Sequence, residues 1–453
     1  MPRQLTRFLA GLALVLAGCS ATVGASDAPQ PSTTQAGSAL ASTSTVRTAA
    51  PHFPASATAK LRTPTTPPTT VASTTTPENV EVELRTLAKS SLASRLEISA
   101  ALWIDGVGEV WSHNPETELF PASNQKLITA AGALQILGPH HRFTTQIRSD
   151  GHTLYFVAGG DPTFSGTELI EIARQTAEAI APIRTLNEVV IDADRYDPAT
   201  MAPGWQDWQM PTYTGPLSAF TLDDNRWTKS NSFIANPALG NGKRFVEALG
   251  HVGVSVVQPP RIGLAPEAMP TIVLHNSAPV SDLVRTMMLT SDNQNAEALL
   301  REIDAVDGGT GSTADGLQKI RADLATIGVP VDGQLGDGSG LSRSNRRSAR
   351  QWIEFLIAVR DAPWFGAFHD NLPVAGRSGT LTGRLTGPAT EGNVRAKTGT
   401  IIGGRSLSGY FTTPDGRDAA FSITINGDES HAALPLVDDL VVEMISVVPA
   451  SPS

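Results

Sequence analysis

The chain has 453 residues, 40 % of them hydrophobic, and carries 44 acidic against 34 basic side chains for a net charge of −10. That length exceeds one ordinary domain and supports a packed core over most of it, while the lack of any basic block argues against nucleic acid as a partner. A single cysteine, Cys19, excludes an internal disulfide, a thiolate zinc site and a cysteine nucleophile in the folded part.

The chain opens with Arg3 and Arg7 followed by an apolar run from Phe8 to Ala17. As a helix that run spans about 15 Å, half of a roughly 30 Å hydrocarbon core, so it reads as an export signal rather than a membrane span. Leu16-Ala17-Gly18-Cys19 closes it and resembles a bacterial lipobox, which makes residues 1–19 a signal peptide and Cys19 the expected site of lipid attachment. An ordinary signal peptide with an incidental Cys19 is the alternative. On the lipobox reading the protein is exported and contacts the extracytoplasmic face of the cell membrane through an N-terminal lipid anchor. Residues 20–77 are rich in Ser, Thr, Pro and Ala and cannot bury enough apolar surface to offset their ordering entropy, so a disordered stalk is expected there. As a random coil it reaches on the order of 40 Å.

From Glu78 the pattern is globular. A helix is expected over 78–93, then a hairpin from "ISAALWID" and "GEVWS", then a helix from about Ser123 in "FPASNQKLITAAGALQILG". Residues 151–275 read as a separate α/β insert, with "TLYFVAGG" and "LNEVVIDAD" as strands around the helix "GTELIEIARQTAEAI". Its Trp-rich loop, "APGWQDWQMPTYTG", is expected to pack the insert on the main domain through Trp205 and Trp208. The last third returns to helices in "SDLVRTMMLTSDNQNAEALLREI", "GLQKIRADLATIG" and "SARQWIEFLIAVRD". Three strands follow in "NVRAKTGTI", "SLSGYFTT" and "DAAFSITING", and the helix "ALPLVDDLVVEMISVV" closes the domain. Residues 78–150 and 276–453 therefore form one α+β domain, an antiparallel sheet covered by helices, interrupted by the insert.

Three short motifs carry chemistry. Ser123-Asn124-Gln125-Lys126 sets a hydroxyl and one of only seven lysines at i and i+3, on one face of a helix start. Backbone N–H groups there favour developing negative charge. Lys126 accepts the serine proton only if neutral, which asks for burial or a second cation. Ser291-Asp292-Asn293 supplies a hydroxyl and an amide that relay a proton or hold a substrate amide; alone it is weak, since Ser112-His113-Asn114 matches S-x-N equally. Lys397-Thr398-Gly399-Thr400 sits in a strand, where Gly399 lets another backbone approach and Lys397 with the threonine hydroxyls fits a substrate carboxylate. It also provides the second cation. An edge strand with a turn glycine reads that tetrad equally well.

The ordered set S-x-x-K, S-D-N and K-T-G resembles that of penicillin-binding proteins and class A β-lactamases. "LFPASNQKLITAAGAL", "LYFVAGGDPTF", "VVIDADRYDPATMAPGW", "LTSDNQNAEALL", "DGSGLSR", "LPVAGRSGTLTGRL" and "VRAKTGTIIGGRSLSGYF" extend the likeness from about 95 to 445. They resemble the D-alanyl-D-alanine carboxypeptidase/endopeptidase family of the penicillin-binding protein 4 type, the S13 serine peptidases, of which an insert between the first two motifs is itself a mark.

The resemblance implies a penicillin-binding-protein/β-lactamase-like transpeptidase fold with an inserted α/β domain. It implies a serine-type D-Ala-D-Ala carboxypeptidase acting on peptidoglycan stem peptides, with cleavage of D-amino-acid cross-links left open, and β-lactams as covalent inhibitors. Ser123 is then the nucleophile, Lys126 its base, Ser291 and Asn293 the second motif, and Lys397 with Thr398, Gly399 and Thr400 the substrate strand. Backbone N–H groups of Ser123 and Thr400 form the oxyanion hole. No metal or organic cofactor is required. Asp337 to Arg343 is expected to support the site, and "GGDPTF" to be either a turn or part of it. Between "LDDNRW" and "NPALGNGKRF" the insert is short where longer members carry a further small domain.

Other readings fare worse. A class A β-lactamase uses a glutamate in E-x-x-L-N, which the chain lacks. A zinc peptidase lacks H-E-x-x-H, and His140 and His141 read as a solvated turn. A receptor without turnover has no need of intact Ser123, Lys126, Ser291 and Lys397.

Overall fold

The computed structural model describes residues 90–226 and 232–447, all within one compact unit, Thr74–Ser453. The export segment, the stalk and most of the helix expected over 78–93 lie outside the described residues. Of that expected helix only residues 90–93 are described, and they form a turn that leads into the 3₁₀ turn Ala93–Arg95.

The first sheet pairs β1 (Glu97–Ile104) with β2 (Gly108–His113), as expected for the hairpin. A 3₁₀ turn, Ala122–Gln125, leads directly into α1 (Lys126–Gly132). The chain then runs through β3 (Thr144–Ser149), β4 (Thr153–Val157), α2 (Gly166–Ala179), β5 (Thr185–Leu186), β6 (Glu188–Asp192), α3 (Pro237–His251), β7 (Ser255–Val256), β8 (Arg261–Ile262) and β9 (Thr271–Asn276), five of whose strands form the second sheet. Its order is β8-β6-β4-β3-β9, with β4, β6 and β8 parallel and β3 antiparallel to both neighbours, while β5 and β7 form a separate pair. This sheet starts at Thr144 and ends at Asn276, wider than the 151–275 read from sequence.

Six helices and three strands complete the fold: α4 (Val280–Thr290), α5 (Asn293–Ala305), α6 (Thr313–Thr326), α7 (Ala349–Ala358), α8 (Phe365–His369), β10 (Arg395–Ile401), β11 (Gly404–Thr412), β12 (Asp418–Asn426) and α9 (Leu434–Ile445). The first sheet closes in the order β10-β11-β12-β1-β2, antiparallel throughout.

Both faces of that sheet are covered, which explains why β1 is buried along almost its whole length instead of at every second residue. Ile98, Ala100, Leu102 and Ile104 share a core with Phe421, Ile423 and Ile425 and with Leu436, Val437, Leu440 and Met444 of α9. Ala101, on the opposite face, joins the larger core formed by Leu127, Ile128, Trp352 and Leu356. The second sheet packs its own aromatic centre, with Phe156 stacked on Phe220 at 4.2 Å and met edge-on by Phe245 at 5.0 Å.

Candidate active site

The first motif sits on a strained turn. Ala122 has φ 47°, a left-handed conformation unusual for alanine, immediately before Ser123. Gly340 lies so close beneath that a Cβ there would meet the Ala122 carbonyl oxygen at 1.9 Å, so only glycine fits. One turn on, Lys126 is wholly buried. Its Nζ lies 3.1 Å from Ser123 Oγ and donates to Asn293 Oδ1 and to the Ser339 carbonyl, both at 2.6 Å.

Burial lowers the pKa of Lys126 to about 8, against the pull of Asp337, Asp292 and Glu297. Of the two causes expected, burial or a second cation, burial is the one that lowers it. Lys397, also fully buried, lies well below the ordinary lysine range, first through burial and then through repulsion by Lys126.

The second motif is a helix break. The segment expected as one long helix divides into α4 and α5 at Ser291, which adopts φ 62°, ψ 36°. Asp292 caps the new helix by accepting from the Asn295 N–H at 3.0 Å. This turn exposes the Ser291 hydroxyl to Lys397 Nζ at 2.9 Å and starts α5 with Asn293, whose Oδ1 meets Lys126. A cavity of about 240 Å³ opens here, bordered by Tyr213, Asp224, Ser291 and Asn293.

The third motif lies on β10. Lys397 pairs with Ser408 of β11, and Lys397 Nζ also donates to the Thr398 carbonyl at 2.9 Å. The Thr398 hydroxyl donates to Thr380 Oγ1 at 2.7 Å. A Cβ on Gly399 would lie 2.0 Å from Ser406 Oγ and 2.8 Å from the Pro121 carbonyl, so glycine lets β10 approach the turn carrying Ser123. With its amide oxygen toward Ser408, Asn124 donates to the Lys397 carbonyl at 2.7 Å and joins the first motif to the third. Thr400 follows at the end of the same strand, opposite Arg405.

The loop from Asp337 to Arg343 underpins all of this. The buried Asp337 carboxylate accepts from Gly340 N and Ser342 N at 2.8 Å, Asn345 Nδ2 at 2.7 Å, Ser339 Oγ at 2.9 Å and Trp205 Nε1 at 2.8 Å. Glu297, fully buried on α5, accepts from Gly338 N at 3.0 Å and Ser339 N at 2.8 Å. Burial and the nearby Asp337 push its pKa up to about 8. Sequence reasoning missed Glu297 and Thr380; it expected the Asp337–Arg343 loop to support the site but not the contact of its Ser339 carbonyl with Lys126. Glu297 stands four residues after Asn293, one helical turn away on the same face, and that spacing was the available signal.

Other expectations resolve differently. Asn114 of the decoy S-x-N hydrogen-bonds the Ile98 carbonyl in the hairpin and takes no part in the site. His141 is no merely solvated turn residue, because its Nε2 lies 2.9 Å from the buried Glu302. Trp205 is nearly buried between the two sheets' units, whereas Trp208 is 42 % exposed. In "GGDPTF", Asp161 closes a turn on the Thr163 N–H and hydroxyl. Cys19 lies outside the described residues.

An antiparallel five-stranded sheet between helices, with S-x-x-K at a helix start facing an S-D-N turn and a K-T-G edge strand, is the penicillin-binding-protein and β-lactamase-like fold. The chain belongs to the D-Ala-D-Ala carboxypeptidase 3 (S13) family, whose sequence profile matches residues 100–233 and 228–446. It is 30 % identical over 425 residues to a D-alanyl-D-alanine carboxypeptidase of Actinomadura sp. (strain R39), covering 74 % of this chain and 78 % of that one. It is 32 % identical over 348 residues to the carboxypeptidase DacB of Mycolicibacterium smegmatis, covering 71 % and 74 %. Among solved structures, penicillin-binding protein 4 of Haemophilus influenzae superposes with a TM-score of 0.71 at 21 % identity, over 80 % of this chain and 98 % of that one.

Proposed function

We propose that this protein is a serine-type D-Ala-D-Ala carboxypeptidase that trims peptidoglycan stem peptides through a Ser123 acyl-enzyme. The observation that carries this reading is the set of partners around Lys126. Asn293 Oδ1 and the Ser339 carbonyl, the two shorter contacts, are acceptors only. A neutral amine satisfies both with its two N–H groups and leaves its lone pair toward the Ser123 hydroxyl.

On this reading Ser123 Oγ attacks the carbonyl of the penultimate D-Ala while its proton passes to Lys126. The oxyanion rests on the backbone N–H groups of Ser123 and Thr400, each worth about 3 to 4 kcal/mol in comparable sites. The C–N bond then breaks, the leaving D-Ala amine takes a proton from the Lys126 and Ser291 side, and water hydrolyses the ester by the reverse route. Lys397, Ser291 and Thr398 receive the terminal carboxylate, whose charge restores a favourable environment for the Lys397 ammonium. β-Lactams acylate the same hydroxyl; that the Haemophilus influenzae relative has been crystallised with one supports this reading.

Release of D-alanine from a diacylated D-Ala-D-Ala peptide by wild type, and its loss in Ser123→Ala, tests the proposal; equal turnover by both variants contradicts it. Cleavage of a cross-linked dimer in the same assay decides endopeptidase activity. We further propose an exported lipoprotein held at the extracytoplasmic membrane face through Cys19, on the strength of the sequence alone. Incorporation of radiolabelled palmitate that Cys19→Ala abolishes is the expected result; a wild-type chain without label contradicts it.

A further inference from the structure

Trp205, Gln209 and Tyr213 lie on one loop of the insert; Tyr213 bonds Asn293, which holds Lys126, while Trp205 and Gln209 bond the turn that carries the Ser339 carbonyl. Lys126 Nζ has two acceptors besides Ser123, and the loop is hydrogen-bonded behind both. Asn293 Nδ2 donates to the Tyr213 carbonyl at 2.9 Å, which fixes the amide so that Oδ1 faces Lys126. Behind the Ser339 carbonyl, Trp205 Nε1 donates to Asp337 Oδ2 at 2.8 Å, the oxygen that also receives Ser339 Oγ and Ser342 N. Gln209 Nε2 secures the far end of the same turn at the Leu341 carbonyl, 2.8 Å away. The Trp205 ring shares a small core with Ala122, Leu341 and Ile401, neighbours of the nucleophile, the supporting loop and the K-T-G strand.

We propose that the Trp205–Tyr213 loop is the positioning element of the catalytic base, with Trp205 acting on Lys126 through Asp337 and the Ser339 carbonyl. The proposal rests on the reading of Lys126 as base. Simple packing between units requires only the indole ring; this proposal requires its N–H.

Trp205→Phe separates the two, because it keeps the ring in its core and removes the donor. Asp337, relieved of one neutralising N–H, then holds the Lys126 proton more firmly. The rate of acylation by a fluorescent penicillin, measured from pH 5 to 10, rises with deprotonation of the base. In Trp205→Phe this rise is expected about half a unit higher in pH, a roughly threefold loss at pH 7. In an Asp337→Asn background the same change is expected to produce no further shift, since the route is gone. An unshifted Trp205→Phe profile overturns the proposal, whatever the change in melting temperature, and so does a shift that persists undiminished with Asp337→Asn. Should the double variant fail to fold, the single-variant profile decides. Failure of wild type to be labelled at Ser123 instead overturns the underlying reading of the site.

Discussion

Lys126 is buried without a carboxylate in direct contact, held by two carbonyl-type oxygens and facing a serine. A permanent cation cannot do its work. Lys126→Arg, unable to deprotonate, is expected to slow β-lactam acylation by about 10² to 10⁴, as loss of a general base does, measured by stopped-flow quenching. Glu297 makes the complementary point. Its folded pKa is raised to about 8 above an unfolded value near 4.5, so stability is full at acid pH and falls as pH rises through that window. Glu297→Gln removes this dependence: its melting temperature is expected to match wild type near pH 5 and exceed it by several degrees at pH 8.5. A fixed difference at both pH values contradicts the assignment. That Ser123 meets Lys126 and Ser291 meets Lys397 was legible in the sequence because the three motifs, each weak alone, occur together in order. The Ser339 carbonyl was not, because a backbone acceptor carries no residue identity, and Glu297 was hidden within an ordinary amphipathic pattern.

The S-D-N motif works as a joint between two helices. Ser291 ends α4 in the left-handed region and Asp292 caps α5, so the sequence that carries the chemistry also stops and restarts the backbone. Asp292→Ala leaves the Asn295 N–H without its cap, at a cost of about 1 kcal/mol. It is also expected to reduce acylation more than a cap lost elsewhere, for example Ser312→Ala at the start of α6, because Asn293 is the first residue of the frayed turn. Parallel denaturant melts and acylation rates on the two variants check this; equal acylation in both contradicts it. The break escaped sequence reading because both halves keep helical apolar spacing, so periodicity runs through it. β3 and β9 were missed although Thr144, Thr145, Ile147, Thr271, Ile272 and Val273 favour a strand; each is only six residues long and lies at the border of the insert. The hairpin β1–β2 and the strands β10 to β12 were legible from their apolar content and turn residues.

Buried polar contacts join the second sheet's unit to the helices of the first. Glu302 on α5 is inaccessible, receives both Arg195 and Tyr196 from beyond β6, and meets His141 from before β3. Glu302→Ala strands these partners, and a loss of about 2 to 3 kcal/mol is expected in a urea melt, discounted because Arg195 is partly exposed. A variant as stable as wild type contradicts that role. These contacts are tertiary and left no local trace in the sequence beyond the presence of the residues. Three distant segments meet through the Ser123–Lys126–Asn293 and Ser291–Lys397 contacts, and the proposed chemistry depends on that meeting. Its most direct measurement is the pH dependence of labelled-penicillin acylation of the intact chain, with the modified residue located by peptide mapping. The label is expected on Ser123, at a rate that climbs with pH and levels off above about 8. An unlabelled protein, a label elsewhere, or a rate indifferent to pH across that range contradicts it.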